Sequence, residues 1–208
     1  MMMAEFMCGP LGANCYVVSD EVTGKGFMVD PGGTNPRMEA YIQEKDIKIE
    51  YIILTHGHGD HIGGAPNYLA LYNGSKLVAA EGEKEMLNNA GLNFSMETYG
   101  ERMKMDADMY VRDEDTLEVG NLKLKFLATP GHTPGGMCIY MPEDGILFSG
   151  DTLFAQSVGR TDFPRSSFEQ LSRSIMEKLY TLPDETIVYP GHMGATTIGT
   201  EKEFNPFV

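Results

Sequence analysis

Short apolar runs alternate with glycine- and proline-marked turns along most of this chain. Runs too short for helices and bounded by turn residues read as strands. They fall at Asn14–Val18, Gly26–Val29, Tyr51–Leu54, Leu77–Ala79, Thr116–Val119, Leu122–Leu127, Met137–Tyr140, Ile146–Phe148 and Thr186–Tyr189. Helical spacing appears between them. After Asp30-Pro31-Gly32-Gly33, a helix capped by Thr34 or Asn35 carries Met38, Tyr41 and Ile42 on one face. Further helices are expected at Ala65–Tyr72 and Glu83–Ala90, while Leu92–Asp108 follows no clear period. Ser166-Ser167-Phe168-Glu169 has the form of a capping box. It opens a helix with Phe168, Leu171, Ile175 and Leu179 in one stripe, which is expected to face the core. Strands interleaved with a few helices suggest layers of sheet covered by helices.

With 208 residues and 42% hydrophobic positions, the chain suits one domain, residues 1–208, with enough apolar mass for a core. No apolar run approaches the roughly 18–20 residues of a membrane span. The N-terminal MMMAEFMCGPLG has neither the basic nor the apolar region of a signal peptide, so a cytoplasmic protein is expected. Cys8, Cys15 and Cys138 show no CxxC spacing and read as reduced thiols, and the fifteen methionines as core filler or composition bias. Lys and Arg number 16 against 30 Asp and Glu, a formal charge of −14, which argues against a nucleic-acid partner.

The five histidines carry the chemical information. Three stand in Thr55-His56-Gly57-His58-Gly59-Asp60-His61, directly after the strand Tyr51–Leu54. His132 follows Leu122–Leu127 in Thr129-Pro130-Gly131-His132-Thr133, and His192 follows Thr186–Tyr189 in Pro190-Gly191-His192. Asp151 follows Ile146–Phe148 in the same way. Loops at strand ends aim side chains from a rigid base, and glycine lets backbone approach a ligand closely. Imidazole and carboxylate without thiolate suit zinc, iron or manganese. Seven such groups exceed the needs of one four-coordinate ion and suit two ions with a shared carboxylate. Thr55 and Thr133, beside these residues, are candidates for hydrogen-bonding them.

Thr-His-x-His-x-Asp-His at 55–61, Pro-Gly-His at 130–132, Gly-Asp-Thr at 150–152 and Pro-Gly-His at 190–192 resemble, in order, the metallo-β-lactamase superfamily. The resemblance implies an α/β four-layer αββα sandwich, two sheets face to face with helices outside. It also implies one metal site of His56, His58 and His132, and a second of Asp60, His61 and His192, with Asp151 bridging both. Two divalent ions follow, zinc first, with iron or manganese as alternatives.

Within the superfamily, the commonest lactamases have cysteine where this chain has Asp151, and other lactamases lack the bridging aspartate. Flavodiiron proteins have glutamate at the position of His58, and homoserine-lactone hydrolases have tyrosine at that of Phe154. Gly150-Asp151-Thr152-Leu153-Phe154, Gly159-Arg160-Thr161-Asp162-Phe163 and Asn205-Pro206-Phe207 look like the short bacterial relatives of glyoxalase II. A single domain without the helical C-terminal domain that supplies much of the glutathione contact in full-length members of that group is expected.

That likeness implies thioester hydrolysis on a small S-hydroxyacylglutathione-like substrate, with no nucleic-acid or membrane partner. It further implies that two divalent ions would lower the pKa of a shared water towards ~7 and so supply the hydroxide that attacks the carbonyl carbon. Asp60 has a second role in orienting that nucleophile, Arg160 is placed to meet a substrate carboxylate or to pair with Asp162, and Phe163 is a candidate pocket wall. Persulfide dioxygenases share the Gly-Arg-Thr-Asp-Phe segment and give the alternative reading, one iron on His56, His132 and Asp151. A metal-dependent nuclease is disfavoured by the charge. A non-catalytic metal-binding module is disfavoured by a ligand set that leaves room for water.

Overall fold

Strands form where the apolar runs fall, and their pairing builds two six-stranded sheets. The computed structural model describes residues 1–208. The first sheet runs β1 (Met2–Cys8), β2 (Ala13–Ser19), β3 (Lys25–Val29), β4 (Lys48–Ile53), β5 (Lys76–Ala80) and β6 (Met109–Val111) in spatial order. β1 to β3 are antiparallel and β3 to β6 parallel. All three parallel crossovers carry helices: α1 (Pro36–Glu44) joins β3 to β4, and α2 (Gly59–Ile62) with α3 (Ala65–Leu71) joins β4 to β5. Short α4 (Lys84–Leu87) and α5 (Ser95–Tyr99) lie between β5 and β6.

The second sheet contains β7 (Thr116–Val119), β8 (Leu122–Ala128), β9 (Met137–Met141) and β10 (Ile146–Gly150) as an antiparallel meander. A small ribbon of β11 (Leu153–Phe154) and β12 (Ser157–Val158) and helix α6 (Phe168–Glu177) follow. β13 (Ile187–Pro190) then adds parallel to β10, and β14 (Thr196–Thr197) closes the edge before α7 (Ile198–Phe204).

Three apolar clusters define the layers. Tyr16, Phe27, Phe126 and Phe148 belong to the cluster between the sheets. Alternate residues Val17, Met28 and Ile52 turn to the outer face of the first sheet and pack against Met38 and Ile42 of α1 and Tyr68 of α3. On the second sheet, Leu147 and Val188 pack against Leu171 and Ile175 of α6. β2, β9 and β10 are buried along their whole length, as strands with a sheet on one side and helices on the other must be. The result is the αββα sandwich. No helix is long and apolar enough to cross a membrane.

Several local expectations shift. The N-terminal methionines form the edge strand β1, in register from Met2 opposite Ser19 to Cys8 opposite Ala13. Their weak alternation hid it. Asn35 caps α1, its side chain accepting from the Arg37 and Met38 N–H groups. The helix expected over 83–90 shrinks to α4, and α5 and β6 emerge at or just beyond the stretch without a clear period. Ser167 rather than Ser166 caps α6, accepting from Gln170 N–H at 3.3 Å. Phe168 is 46% exposed and leaves the stripe, while Leu171, Ile175 and Leu179 are buried.

Candidate metal centre

Four strand ends converge on one place. Chain leaving β4 delivers His56 and His58, then Asp60 and His61 on the single turn of α2; chain leaving β8, β10 and β13 delivers His132, Asp151 and His192. His56, His58 and His132 place one donor atom each within 4.8 Å of the others, and Asp60, His61 and His192 do the same. Asp151 faces both groups. Its Oδ1 is 3.4 Å from His61 Nε2, and its Oδ2 is 3.6 Å from His132 Nε2 and 3.9 Å from His192 Nε2. Gly191 is essential to this closeness: a Cβ there would meet Asp151 Oδ1 at 2.4 Å and His61 Cε1 at 2.6 Å.

The hydrogen-bond network orients the rings. His132 donates from Nδ1 to the Arg160 carbonyl at 2.7 Å, which leaves Nε2 with its lone pair. His61 donates from Nδ1 to Asp30 Oδ2 at 3.0 Å. The Thr55 hydroxyl gives its proton to Asp30 Oδ2 at 2.6 Å and can therefore accept from His56 Nδ1, 3.1 Å away. In all three rings Nδ1 is tied; Nε2 of His56 and of His61 has no hydrogen-bond partner, while that of His132 faces His58. His58 Nδ1 lies 2.9 Å from the His132 lone pair.

Burial, and then the neighbouring histidines, push His58 down to about 3 and His56 well below its ordinary range. Burial also lowers His132, against the opposing pull of Asp151. These rings therefore stay neutral, the form that ligates metal. Burial acts against a charge on His61 too, but Asp151, Asp30 and Asp60 outweigh it and hold its pKa up at about 10. Burial alone would raise Asp60, yet the hydrogen bond with His192 at 3.2 Å and the charge of His61 carry it below the usual carboxylate range.

Buried His56 Nε2, His58 Nε2, His61 Nε2 and Asp151 Oδ1 have no hydrogen-bond partner. Unpaired buried polar atoms are costly, and so many in one place fit cations as the missing partners. The donor set is nitrogen and oxygen, as zinc, iron and manganese accept. Asp30, His56 and His61 also come together. Asp30 is already committed there, its oxygens accepting from Thr55 N, Thr55 Oγ1 and His61 Nδ1.

The family described as Metallo-beta-lactamase superfamily matches residues 8–192. This chain belongs to that superfamily. Among curated relatives, the probable metallo-hydrolase YqgX of Bacillus subtilis is 37% identical, the match covering 96% of this chain and 94% of the relative. Hydroxyacylglutathione hydrolase GloC of Haemophilus influenzae is 36% identical, over 94% of this chain and 92% of its own. Among solved structures, the B3 metallo-β-lactamase BLEG-1 is 33% identical with a TM-score of 0.92, covering 99% of each chain. ETHE1 from Myxococcus xanthus is 30% identical with a TM-score of 0.79, over 99% of this chain and 84% of that one. TTHA1623, solved in a di-iron-bound form, is 29% identical with a TM-score of 0.85, over 99% of this chain and 100% of that one.

Above the superfamily's donor cluster lies a cavity of about 370 Å³, lined by His58, Asp60, His132, Asp151 and His192 below and by Leu11, Phe94, Glu97, Phe154, Arg160 and Phe163 around. The Phe163 ring lies 5.1 Å from the His58 ring and 5.2 Å from that of Phe94, tilted against both. Arg160 reaches the same wall, its guanidinium 4.6 Å above the Phe163 ring, and both Nε and Nη2 are bonded to Asp162 at 3.0 and 2.8 Å. A larger hollow of about 730 Å³ opens at the N-terminal ends of β3 to β5, beside Lys25, Lys48 and Lys76, and contains no histidine.

Asp30 and Phe94 escaped the sequence reading. Asp30 stood in a Pro-Gly-Gly turn, a pattern that signals only the turn. Phe94 lay in the stretch without a period, and its left-handed backbone, φ 54°, leaves no mark in composition. Thr55 meets the expectation of contact with a histidine, whereas the Thr133 hydroxyl faces the Glu83 carboxylate instead.

Proposed function

We propose that the protein is a metal-dependent hydrolase that cleaves thioesters of the S-hydroxyacylglutathione type. The observation carrying this reading is Asp151, whose carboxylate lies between the two three-residue donor groups, Oδ1 beside His61 and Oδ2 beside both His132 and His192. That arrangement suits a pair of divalent ions, zinc first, with iron or manganese as alternatives, and the likeness to a hydroxyacylglutathione hydrolase supports the substrate class.

His56, His58 and His132 would hold one ion, Asp60, His61 and His192 the other, and Asp151 both. When bound, such a pair supplies a Lewis acid for the carbonyl and lowers the pKa of the attacking water. The residues around it do the rest. Asp60 presents its carboxylate at the cavity floor, where it can accept a hydrogen bond from that water and fix its direction. Phe94, Phe154 and Phe163 form an apolar wall that seats the substrate and keeps bulk water away. A thiolate leaves near neutral pH without a strong general acid, so the mechanism needs no dedicated proton donor. Arg160 can meet a substrate carboxylate by exchanging it for Asp162.

The test is metal analysis of purified protein combined with turnover of S-D-lactoylglutathione, a chromogenic cephalosporin and glutathione persulfide. About two ions per chain and thiol release from the first substrate support the proposal. One iron per chain with oxygen consumption on the persulfide, or hydrolysis of the β-lactam alone, overturns it.

A further inference from the structure

Glu83 has no part in the chemistry proposed above, yet it is fully buried with a relative exposure of 0%. No Lys, Arg or His side chain pairs with its carboxylate; backbone N–H groups from two loops do. Oε2 accepts from Gly57 N–H at 2.7 Å, and Oε1 accepts from Gly135 N–H at 2.8 Å. Gly57 stands between His56 and His58, and Gly135 lies three residues beyond His132. One side chain thus ties together both loops that carry the three-histidine group. The loops have no slack beside it: a Cβ on Gly135 would meet Gly82 C at 2.2 Å, and one on Gly57 would meet Glu83 Oε2 at 3.0 Å.

The other donor group is braced differently. His61 is held by Asp30. The turn before His192 is held by Asn14 Nδ2, which donates to the Pro190 and Met193 carbonyls at 3.0 and 2.8 Å, and by the Tyr16 hydroxyl, which donates to the Pro190 carbonyl at 2.6 Å. A buried carboxylate without a cation is expensive where it serves stability alone. Here it spans the gap whose width sets the distance between imidazoles.

We infer that Glu83 is a positioning residue: it fixes the spacing of His56 and His58 against His132 and so sets the metal affinity of that group, not of the Asp60–His61–His192 group. The inference rests on the reading that the two groups hold ions. Glutamine in its place keeps one acceptor but turns an NH₂ towards the other glycine N–H, so one loop is released.

The experiment isolates each group with a second substitution and titrates metal-free protein with Co(II), reading affinity by calorimetry and ligand environment by visible absorption. With His192→Ala, which leaves the three-histidine group, adding Glu83→Gln is expected to weaken binding about 10–100-fold. With His58→Ala, which leaves the other group, adding Glu83→Gln is expected to change binding less than about 2-fold. Equal losses in both backgrounds, or none in either, overturn the inference, since a general structural role moves both alike. Should the glutamine variant fail to fold by circular dichroism, Glu83→Asp, which keeps the charge but reaches one loop only, is judged by the same contrast. Absence of Co(II) binding in the unsubstituted protein instead overturns the metal reading, and this inference with it.

Discussion

Asp30 Oδ2 accepts both the Nδ1 proton of His61, at 3.0 Å, and the hydroxyl proton of Thr55, at 2.6 Å. Through Thr55 it also orients His56, so one carboxylate at the end of β3 sets a ring in each donor group. Asn tolerates the left-handed backbone of Asp30, φ 48°. Asp30→Asn should therefore fold while accepting fewer of these bonds. If the two groups hold ions as proposed, calorimetric titration is expected to show both bound about 10–100-fold more weakly. Unchanged affinities would show that the rings orient themselves.

Stability of the metal-free protein should depend on pH with opposite signs on the two sides of pH 6.5. Burial and then His132 hold His58 at about 3, down from the ordinary 6.5. Below 6.5 the unfolded chain takes up a proton that the folded ring refuses, so this contribution is present above 6.5 and is lost as pH falls towards 3. His61 goes the other way. Burial opposes its charge, but Asp151 and Asp30 prevail, so the folded ring keeps up to about pH 10 a proton that the unfolded one releases near 6.5. Its contribution is full below 6.5 and is lost as pH rises through 10. Melting temperatures of chelator-treated protein should fall on both sides of neutrality. A flat alkaline limb would contradict the protonated His61.

Gly191→Ala puts a methyl carbon where Asp151 Oδ1 and His61 Cε1 lie 2.4 and 2.6 Å away. The donors rather than the backbone must yield, because Gly191 N–H is bonded to the Gly150 carbonyl at 2.8 Å and Asn14 N–H to the Gly191 carbonyl at 2.7 Å. If the proposed thioester hydrolysis holds, its rate is expected to fall about 100-fold or more, by the sensitivity of catalysis to misplacement on the order of 1 Å, with the far-ultraviolet spectrum unchanged. Full activity would mean the two groups have room to separate.

Arg160 and Asp162 are 69% and 66% exposed, so their pair adds little to stability. Arg160→Ala should move the melting temperature by no more than about 4 °C, because water screens an exposed pair and replaces its hydrogen bonds. If Arg160 meets a substrate carboxylate, KM for S-lactoylglutathione rises about tenfold, and an uncharged thioester is unaffected. Equal KM changes for both substrates would assign the residue to the cavity wall alone.

The donor cluster was legible because each of its members sits in a glycine-flanked loop at the end of an apolar run, and both features are local. Strand β4 and the loop from Thr55 to His61 could be read from a dozen consecutive residues. The bracing residues could not. Asn14 and the carbonyls it holds are 176 and 179 positions apart, and Glu83 lies 26 and 52 positions from the glycines it joins. Such partners carry no pattern of their own: a buried glutamate and a surface one look alike in the chain.

From its order of residues alone, the protein had its layers, its strand ends and the identity of its seven donor side chains, because hydrophobic period and turn chemistry act within a few residues of themselves. Folding supplied the rest: the distances that bring those seven together, the Nδ1 partners of His56, His61 and His132, and the aromatic wall built by Phe94 against Phe163. These depend on distances between strands far apart along the chain, and only packing of the two sheets sets such distances.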